Sequence, residues 1–352
     1  MTLPKIQEAQ VHNRKVLLRV DIDVPLHNKD ILDDSRLHAS LETITYLQNQ
    51  NATIILCGHL GRPDGQDDAY SLDPVAKWFA KKLGLQFTST KQPIGQLSGW
   101  QLSNKLYLLE NLRFDPGEHK NSPELVNKLA NIADVYCNDA FAVSHRNNAS
   151  ITGVCKKLPH YAGIHLQKEV EELDLVFKKP KHPLVVIIGG AKLETKLPLV
   201  EKMHAIADYV LVGGKIAAET QVLEKVTKID TGNVVLVADL IEQGTDITQN
   251  SIDNFLQVIK LANMIVWNGP MGLIRPTNDR KGMPETEHGT RVIADAVSRS
   301  SAHTILGGGD TTEFLQELHI LDKFSFVSTG GGAMLLLLSG EKLPGLIALC
   351  EK

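Results

Sequence analysis

The sequence predicts an α/β protein built from two doubly wound, parallel-sheet domains joined by an interdomain helix. Three observations carry this. Ten short β-branched or Leu-rich runs recur, each followed by a turn and a segment of helical period, the pattern of parallel strands covered by helices. Ten strands are too many for one ordinary open sheet. A charged amphipathic stretch, residues 165–180, stops at Lys179-Pro180 just before His182-Pro183 and divides the runs into two groups.

In chain order the first group is "KVLLRVD" (15–21), "TIILCGH" (53–59), "KLYLLEN" (105–111) and "ADVYCND" (133–139). The second is "LVVIIGG" (184–190), "YVLVGG" (209–214), "NVVLVAD" (233–239), "MIVWNG" (264–269), "HTILGGG" (303–309) and "FSFVSTGGG" (324–332). The expected boundaries are residues 1–164 for the first domain and 181–338 for the second, with "SGEKLPGLIALCEK" (339–352) returning to the first. There is no short internal repeat and no low-complexity tract.

Composition narrows the class. With 352 residues and 43% hydrophobic content the chain can bury a sizeable core. A formal net charge of -4 gives no basic excess, so neither nucleic acid nor a membrane surface is an expected partner. The cysteines Cys57, Cys137, Cys155 and Cys350 are widely spaced and form no C-x-x-C pair, which argues against a disulfide framework or a zinc site and for a reducing compartment. The N-terminal "MTLPKIQEAQVHNRK" lacks the apolar segment of a signal peptide, and the run near "AMLLLL" is too short to span a membrane; a cytoplasmic location is expected.

In open parallel sheets ligands bind outside the carboxyl ends of strands, so the residues following each strand are the candidates for chemistry. In the first half these ends, with "DDSRL" at a helix start, supply Arg36, Arg62, Arg113 and Arg146, with His59 and His145 nearby. A single loop arginine is ordinarily a solvated surface group. Four at one topological level suit a small, multiply anionic substrate, because guanidinium forks bind phosphate and carboxylate in bidentate fashion. Asp21 and Asp23 flank Ile22, and on a continuing strand both carboxylates would share a face; they would either accept a substrate hydroxyl and orient an arginine, or bond nearby backbone amides.

The second half offers glycine turns: "GGAKLETK" (189–196), "GGGDTTEF" (307–314) and "STGGGAML" (328–335). Glycine there either satisfies a tight strand-to-helix connection or lets phosphate oxygens approach backbone N–H groups at a helix start. Lys192 and Lys196 favour the second use, since cations near the start of a helix, here one that Pro198 is expected to open, need a compensating anion. Asp310 is either an N-cap or the carboxylate that holds Mg²⁺ beside a polyphosphate. Neither G-x-x-x-x-G-K-[ST] nor G-x-G-x-x-G occurs, which removes most support for P-loop and dinucleotide-binding readings.

Taken together, "LLRVDIDVP", "DDSRL", "GHLGRP", "LLENLRF", "NDAF…SHR…AS", "GGAK…K", "VWNGPMG", "GGGDT", "STGGGA" and the final "LPG" resemble the phosphoglycerate kinase family, in order and across nearly the whole chain. The resemblance implies a two-lobed, monomeric phosphotransferase with a carboxyl group as acceptor, moving phosphate between 1,3-bisphosphoglycerate and MgADP. On matched positions Asp21, Ile22, Asp23, Arg36, His59, Leu60, Gly61, Arg62, Arg113 and Arg146 would hold the phosphoglycerate. Gly190, Ala191, Lys192, Lys196, Gly213, Asn268, Gly308, Gly309, Asp310, Thr311 and Gly331 would serve ATP or ADP, with Asp310 as the metal ligand. Arg36, Lys192 and Lys196 would carry catalysis, and the site would be complete only when the interdomain helix lets the lobes close. A noncatalytic, phosphometabolite-binding paralogue is the competing reading, and the lysines and Asp310 argue against it.

Departures from the family pattern cluster on the nucleotide side. Arg275 stands where the family places a ribose-contacting Glu, and Glu285 or Glu287 could replace it. The segment between "LVADLIEQG" and "MIVWNG" is short, and Thr248-Gln249-Asn250 replaces a Gly-Pro-Lys. Lys215 replaces a glycine, Met334 a Ser and Leu336 a Glu; Asp23 for Asn and Ala142 for Gly are the changes in the substrate lobe. Phosphate and metal groups survive while base and ribose contacts thin out, so the expectation is catalysis with altered nucleotide affinity or selectivity.

Overall fold

The structure is a computed structural model and describes residues 2–219, 233–242, 244–274 and 286–351. Two compact units divide the chain, one of Met1–Val170 with Lys342–Lys352 and one of Glu171–Glu341. The helix Ile164–Lys178 crosses that division.

In the first unit the strands in chain order are β1 (Lys15–Arg19), the small hairpin β2 (Leu26–His27) and β3 (Asp30–Ile31), β4 (Thr53–Cys57), β5 (Gln92–Ile94), β6 (Leu97–Ser103), β7 (Leu106–Leu109), β8 (Val135–Asn138) and β9 (His160–Ala162). The main sheet has the order β5-β6-β7-β4-β1-β8-β9. β1 is an interior strand, parallel to both neighbours, pairing Leu18 with Leu56 and with Cys137. Val16, Leu17 and Leu18 are fully buried, as a strand covered on both faces requires. The chain builds outward from β1 on one side through β4 and β7 and on the other through β8 and β9, so the strand order reverses at β1, where the sheet opens a crevice at the carboxyl ends. One edge departs from the all-parallel expectation: β6 is antiparallel to β5 and β7. The two-residue connections 95–96 and 104–105 dictate it, since parallel strands need a crossover of a dozen or more residues.

The second unit holds β10 (Leu184–Ile188), β11 (Tyr209–Val212), β12 (Val234–Val237), β13 (Met264–Asn268), β14 (His303–Gly307) and β15 (Phe326–Val327). All are parallel, in the order β12-β11-β10-β13-β14-β15, a Rossmann-like sheet that reverses between β10 and β13. Each unit has its own apolar core, centred on Leu18, Leu56 and Phe79 in the first and on Ile187, Trp267 and Phe255 in the second. The terminal helix Pro344–Cys350 belongs to the first unit: Gly345 N–H donates to Ser144 O at 2.8 Å, and Leu343, Leu346 and Leu349 are buried.

Pro198 does not open its helix. The helix runs Leu193–His204 with Lys192 as N-cap, so Pro198 falls in its second turn. Glycines bring the turn right up to the N-cap, and the proline costs one backbone hydrogen bond there.

Candidate active site

At the carboxyl ends of β1, β4 and β8 the first unit gathers cations that repel one another. β1 ends at Arg19 and the chain then leaves the sheet, so Asp21 and Asp23 do not continue a strand. Val20 N–H still donates to Cys57 O at 3.1 Å, which keeps the exit aligned with β4, and Ile22 is fully buried. Asp21 Oδ2 accepts from Ala142 N–H at 2.9 Å. Burial raises the Asp21 pKa, opposed by Arg36 and Arg19. Asp23 Oδ1 accepts from Gly61 N–H at 2.8 Å, its Oδ2 lies 3.6 Å from His59 Nε2, and its backbone oxygen accepts from Arg36 Nη1 at 2.6 Å. Burial would raise Asp23, but the His59 contact, Gly61 N–H and Arg36 outweigh it and hold the carboxyl at about 2.

His59 is buried, and burial pushes its pKa down to about 3, so the ring is neutral at physiological pH despite facing Asp23. Its tautomer follows from its partners. Arg19 Nη2 lies 2.9 Å from His59 Nδ1, and a guanidinium has donors only, so Nδ1 accepts and the ring proton sits on Nε2, toward Asp23. Arg19 is itself fully buried and donates through Nε to Ser150 Oγ at 3.0 Å; Ser150 Oγ in turn donates to buried Glu118 at 2.6 Å. Sequence reasoning missed Arg19, Glu118 and Ser150. The one available signal was an arginine at the end of the apolar run "KVLLR".

Leu60 and Gly61 form the turn after β4. Asn111 locks it, accepting from Leu60 N–H and donating to Leu60 O. Gly61 has φ +62, and a Cβ there would meet the Tyr70 ring at 2.2 Å. Arg113 Nη1 donates to Gly61 O, while its Nε and Nη2 are buried without an acceptor. Burial and the Arg146 charge lower the Arg113 pKa to about 10. Arg146 is lowered by burial and by Arg62, and its Nε likewise has no acceptor. Arg62 is exposed; His145 is half-buried with an unpartnered Nδ1. These couplings bring Arg62, Arg113, Arg146 and the Asp23–Arg36 pair into one neighbourhood, where buried donors without acceptors match a multiply charged anion.

In the second unit backbone bonds stitch the turns after β10, β11 and β13 together, and the end of β15 is tied to β14. Gly189 N–H donates to Asn268 O at 3.0 Å, Gly190 N–H to Pro270 O at 2.8 Å and Gly214 N–H to Met271 O at 2.8 Å; Ser328 N–H reaches Leu306 O at 2.8 Å. Gly213 packs where a Cβ would meet Met271 Sδ at 2.5 Å, and Gly331 where one would meet Gly308 Cα at 2.9 Å. Lys196 is buried, donates to Asn268 Oδ1, and has its pKa lowered to about 8 by burial, with Asp310 acting in the opposite sense. Asn268 is buried at the end of β13. Ala191 and Lys192 are exposed on the first turn.

Gly308, at φ +103, is the N-cap of the helix Gly309–Glu317, so Asp310 lies in the first turn as an exposed carboxylate rather than at the cap. A Cβ on Gly309 would meet nothing within 4 Å, which leaves its backbone open to approach. Thr311 is buried and its Oγ1 has no partner. No group of three or more His, Cys, Asp or Glu side chains able to hold a metal occurs among the described residues. Asp310 alone fits a cation that takes few protein oxygens and completes its shell with phosphate and water.

The departures fall as follows. Glu287 precedes the helix His288–Ser298 and pairs with Arg291 at 3.4 Å, whereas Arg275 and Glu285 lie outside the described residues. Thr248 caps the helix Gln249–Ile259 by accepting from Ser251 N–H. Met334 is buried with its sulfur 3.9 Å from Asn268 Nδ2, Leu336 is 39% exposed, and Lys215 is exposed on the turn after β11.

Known proteins are similar to this chain from end to end. The phosphoglycerate kinase family model matches residues 6–243 and 219–341. The phosphoglycerate kinase of Dictyoglomus turgidum is 35% identical, covering 100% of this chain and 99% of its own; the cytosolic phosphoglycerate kinase 3 of Arabidopsis thaliana is 35% identical over 98% of each. Among solved structures, phosphoglycerate kinase from Coxiella burnetii superimposes with a TM-score of 0.82 at 31% identity over 99% of both chains. The enzyme from Pyrococcus horikoshii gives 0.80 at 27%, over 99% of this chain and 98% of that one. The Dictyoglomus alignment runs over 399 positions against 352 residues here, so the chain is a shortened version of the pattern. Match by match, and over both units, the chain belongs to the phosphoglycerate kinase family.

Proposed function

We propose that the chain transfers a phosphoryl group reversibly between 1,3-bisphosphoglycerate and ADP, giving 3-phosphoglycerate and ATP, as a cytoplasmic monomer. Membership of the family over both units is the observation that carries this reading. The chemistry of each half-site agrees. Arg62, Arg113 and Arg146 would bind the phosphate of the glycerate, and Asp23, held ionised, would fix Arg36. The glycine turns and Lys192 would cradle the nucleotide phosphates. Asp310 would hold Mg²⁺, which supplies charge neutralisation to the polyphosphate when bound.

Phosphoryl transfer needs in-line positioning and positive charge at the equatorial oxygens more than covalent help. Arg36 and Lys192 are assigned that charge. Lys196, lowered to about 8 yet protonated at neutral pH, keeps Asn268 turned toward it and adds a buried cation. Acceptor and donor half-sites belong to different units, so transfer requires domain closure, which also excludes the water that would hydrolyse an acyl phosphate.

A coupled assay of ATP and 3-phosphoglycerate tests the proposal. Turnover is expected, and Arg36→Ala should lower kcat by about two orders of magnitude or more, the usual cost of removing a charge-stabilising group. Full kcat in that variant removes Arg36 from the role, and no turnover by the parent protein removes the function. The thinned base contacts predict a raised KM for ADP and comparably efficient use of GDP; strict adenine preference with tight ADP binding would contradict this.

A further inference from the structure

Arg36, to which charge at the transferring phosphoryl group is assigned, lies in the first turn of the helix Ser35–Asn49. Among the described residues its guanidinium makes one hydrogen bond, from Nη1 to Asp23 O at 2.6 Å. The direction of the rest of the fork therefore depends on where the helix begins. Asp34 is the N-cap, yet its carboxylate caps nothing. An Asp at that position ordinarily accepts from a first-turn N–H of its own helix. Here Oδ2 accepts instead from Trp78 Nε1–H at 2.9 Å and lies 3.3 Å from His38 Nε2, while Asp33 Oδ1 accepts from Ser35 N–H at 2.9 Å. Trp78 belongs to a different element, the helix Asp73–Lys82, whose Val75, Ala76, Phe79 and Ala80 are buried in the core of the first unit. Its ring also meets the His38 ring edge-on, with centroids 5.1 Å apart.

We propose that Asp34 and Trp78 are positioning residues for phosphoryl transfer: their bond pins the start of the helix Ser35–Asn49 to the core-anchored helix Asp73–Lys82 and so aims Arg36. The inference rests on the assignment of charge stabilisation to Arg36. Three features support it. A carboxylate used on its own first turn would stabilise the helix without fixing it against a neighbour, whereas Asp34 reaches a partner 44 residues away. The indole N–H can only donate, and its bond to an ionised acceptor is directional and charge-assisted, so it holds a defined geometry. His38 brackets the same oxygen one turn on, so the cap and the turn that carries Arg36 move together. Transfer is sensitive to such placement, since a shift of about 1 Å caused far from the reacting atoms can cost about 10²-fold in rate.

The test uses Trp78→Phe, which keeps an aromatic ring and deletes the N–H, together with Asp34→Ala and Asp34→Asn, in the coupled assay of ATP and 3-phosphoglycerate. Trp78→Phe and Asp34→Ala should each lower kcat by about fivefold to tenfold and leave the KM for ATP within about twofold of the parent value. Asp34→Asn, which keeps an oxygen acceptor for the indole, should restore most of the loss. Action through Arg36 has a signature that a general structural contact lacks: combined with Arg36→Ala, neither Trp78→Phe nor Asp34→Ala should lower kcat further. Equal losses in the parent and Arg36→Ala backgrounds would make the bond an ordinary tie between two helices and overturn the proposal, as would an unchanged kcat in Trp78→Phe. Full kcat in Arg36→Ala alone would instead remove the assignment on which the proposal stands.

Discussion

Arg19 earns its place by what a guanidinium cannot do. Because it cannot accept a hydrogen bond, it fixes which nitrogen of His59 carries the proton, and because it is fully buried it needs the Ser150–Glu118 arrangement beneath it. Arg19→Met should destabilise the protein by about 3–5 kcal/mol, the cost of leaving a buried charge uncompensated, with Glu118→Gln in the same chain recovering part of it. Urea unfolding of the three proteins checks this, and an Arg19→Met protein as stable as the parent would contradict it. The titrating groups around it pull in opposite directions. His59, at about 3 folded against 6.5 unfolded, binds fewer protons when folded, so its contribution is present above 6.5 and is lost as pH falls toward 3. Asp139, raised by burial to about 7, binds more protons when folded, so its contribution falls as pH rises from 4 to 7. His59→Gln should therefore flatten the acid loss of stability between pH 6 and 4, and Asp139→Asn should flatten the decline between pH 5 and 7. Both are read from denaturation midpoints across that range, and parallel profiles in parent and variant would refute the assignments.

Elements were legible where their residues announce a period. The runs that became β1, β4, β10 and β13 each have an unbroken apolar, buried centre, as strands covered on both faces must, with polar residues only at their ends. β5 and β6 escaped because "QPI" and "LSGWQLS" alternate polar and apolar residues around a proline and a glycine, the pattern of a half-exposed edge. The same limit applies to the site. Strand-end arginines and glycine turns could be read from local motifs, whereas Arg19 meets Ser150 across 131 residues and Glu118 meets Ser150 across 32. Such partners share no period, so only the folded sheet reveals them. What the turns do cooperatively is testable at Gly269, where φ is +94 and a Cβ would lie 2.2 Å from Gly189 O. Gly269→Ala should part the β10 and β13 turns, costing on the order of 2–4 kcal/mol and raising the KM for ADP more than the KM for 3-phosphoglycerate. Equal rises in both constants would show that the substitution disturbs more than the unit that holds the glycine turns.

At the scale of the whole molecule, two cores are served by one chain whose last residues rejoin the first unit. The helix Pro344–Cys350 sets Leu343, Leu346 and Leu349 into that unit, and Gly345 fits so closely that a Cβ would meet Ile151 at 2.8 Å and Ser144 O at 3.0 Å. His160 adds a contact to Glu351 O at 2.8 Å. The tail is thus part of the arginine-bearing unit in energy, although it follows the unit of the glycine turns in sequence. Burying each of those leucines is worth about 2 kcal/mol, and Ser144 to Ile151, against which the helix packs, is also the segment that carries Arg146 and Ser150. Removing residues 342–352 should therefore lower the unfolding temperature of the first unit by at least several degrees and raise the KM for 3-phosphoglycerate. The second unit should keep both its transition and its stabilisation by ADP. Calorimetry with and without ADP separates the two transitions. Loss of ADP stabilisation in the truncated protein, or a first transition that does not move, would show that the tail stabilises something other than the unit it touches.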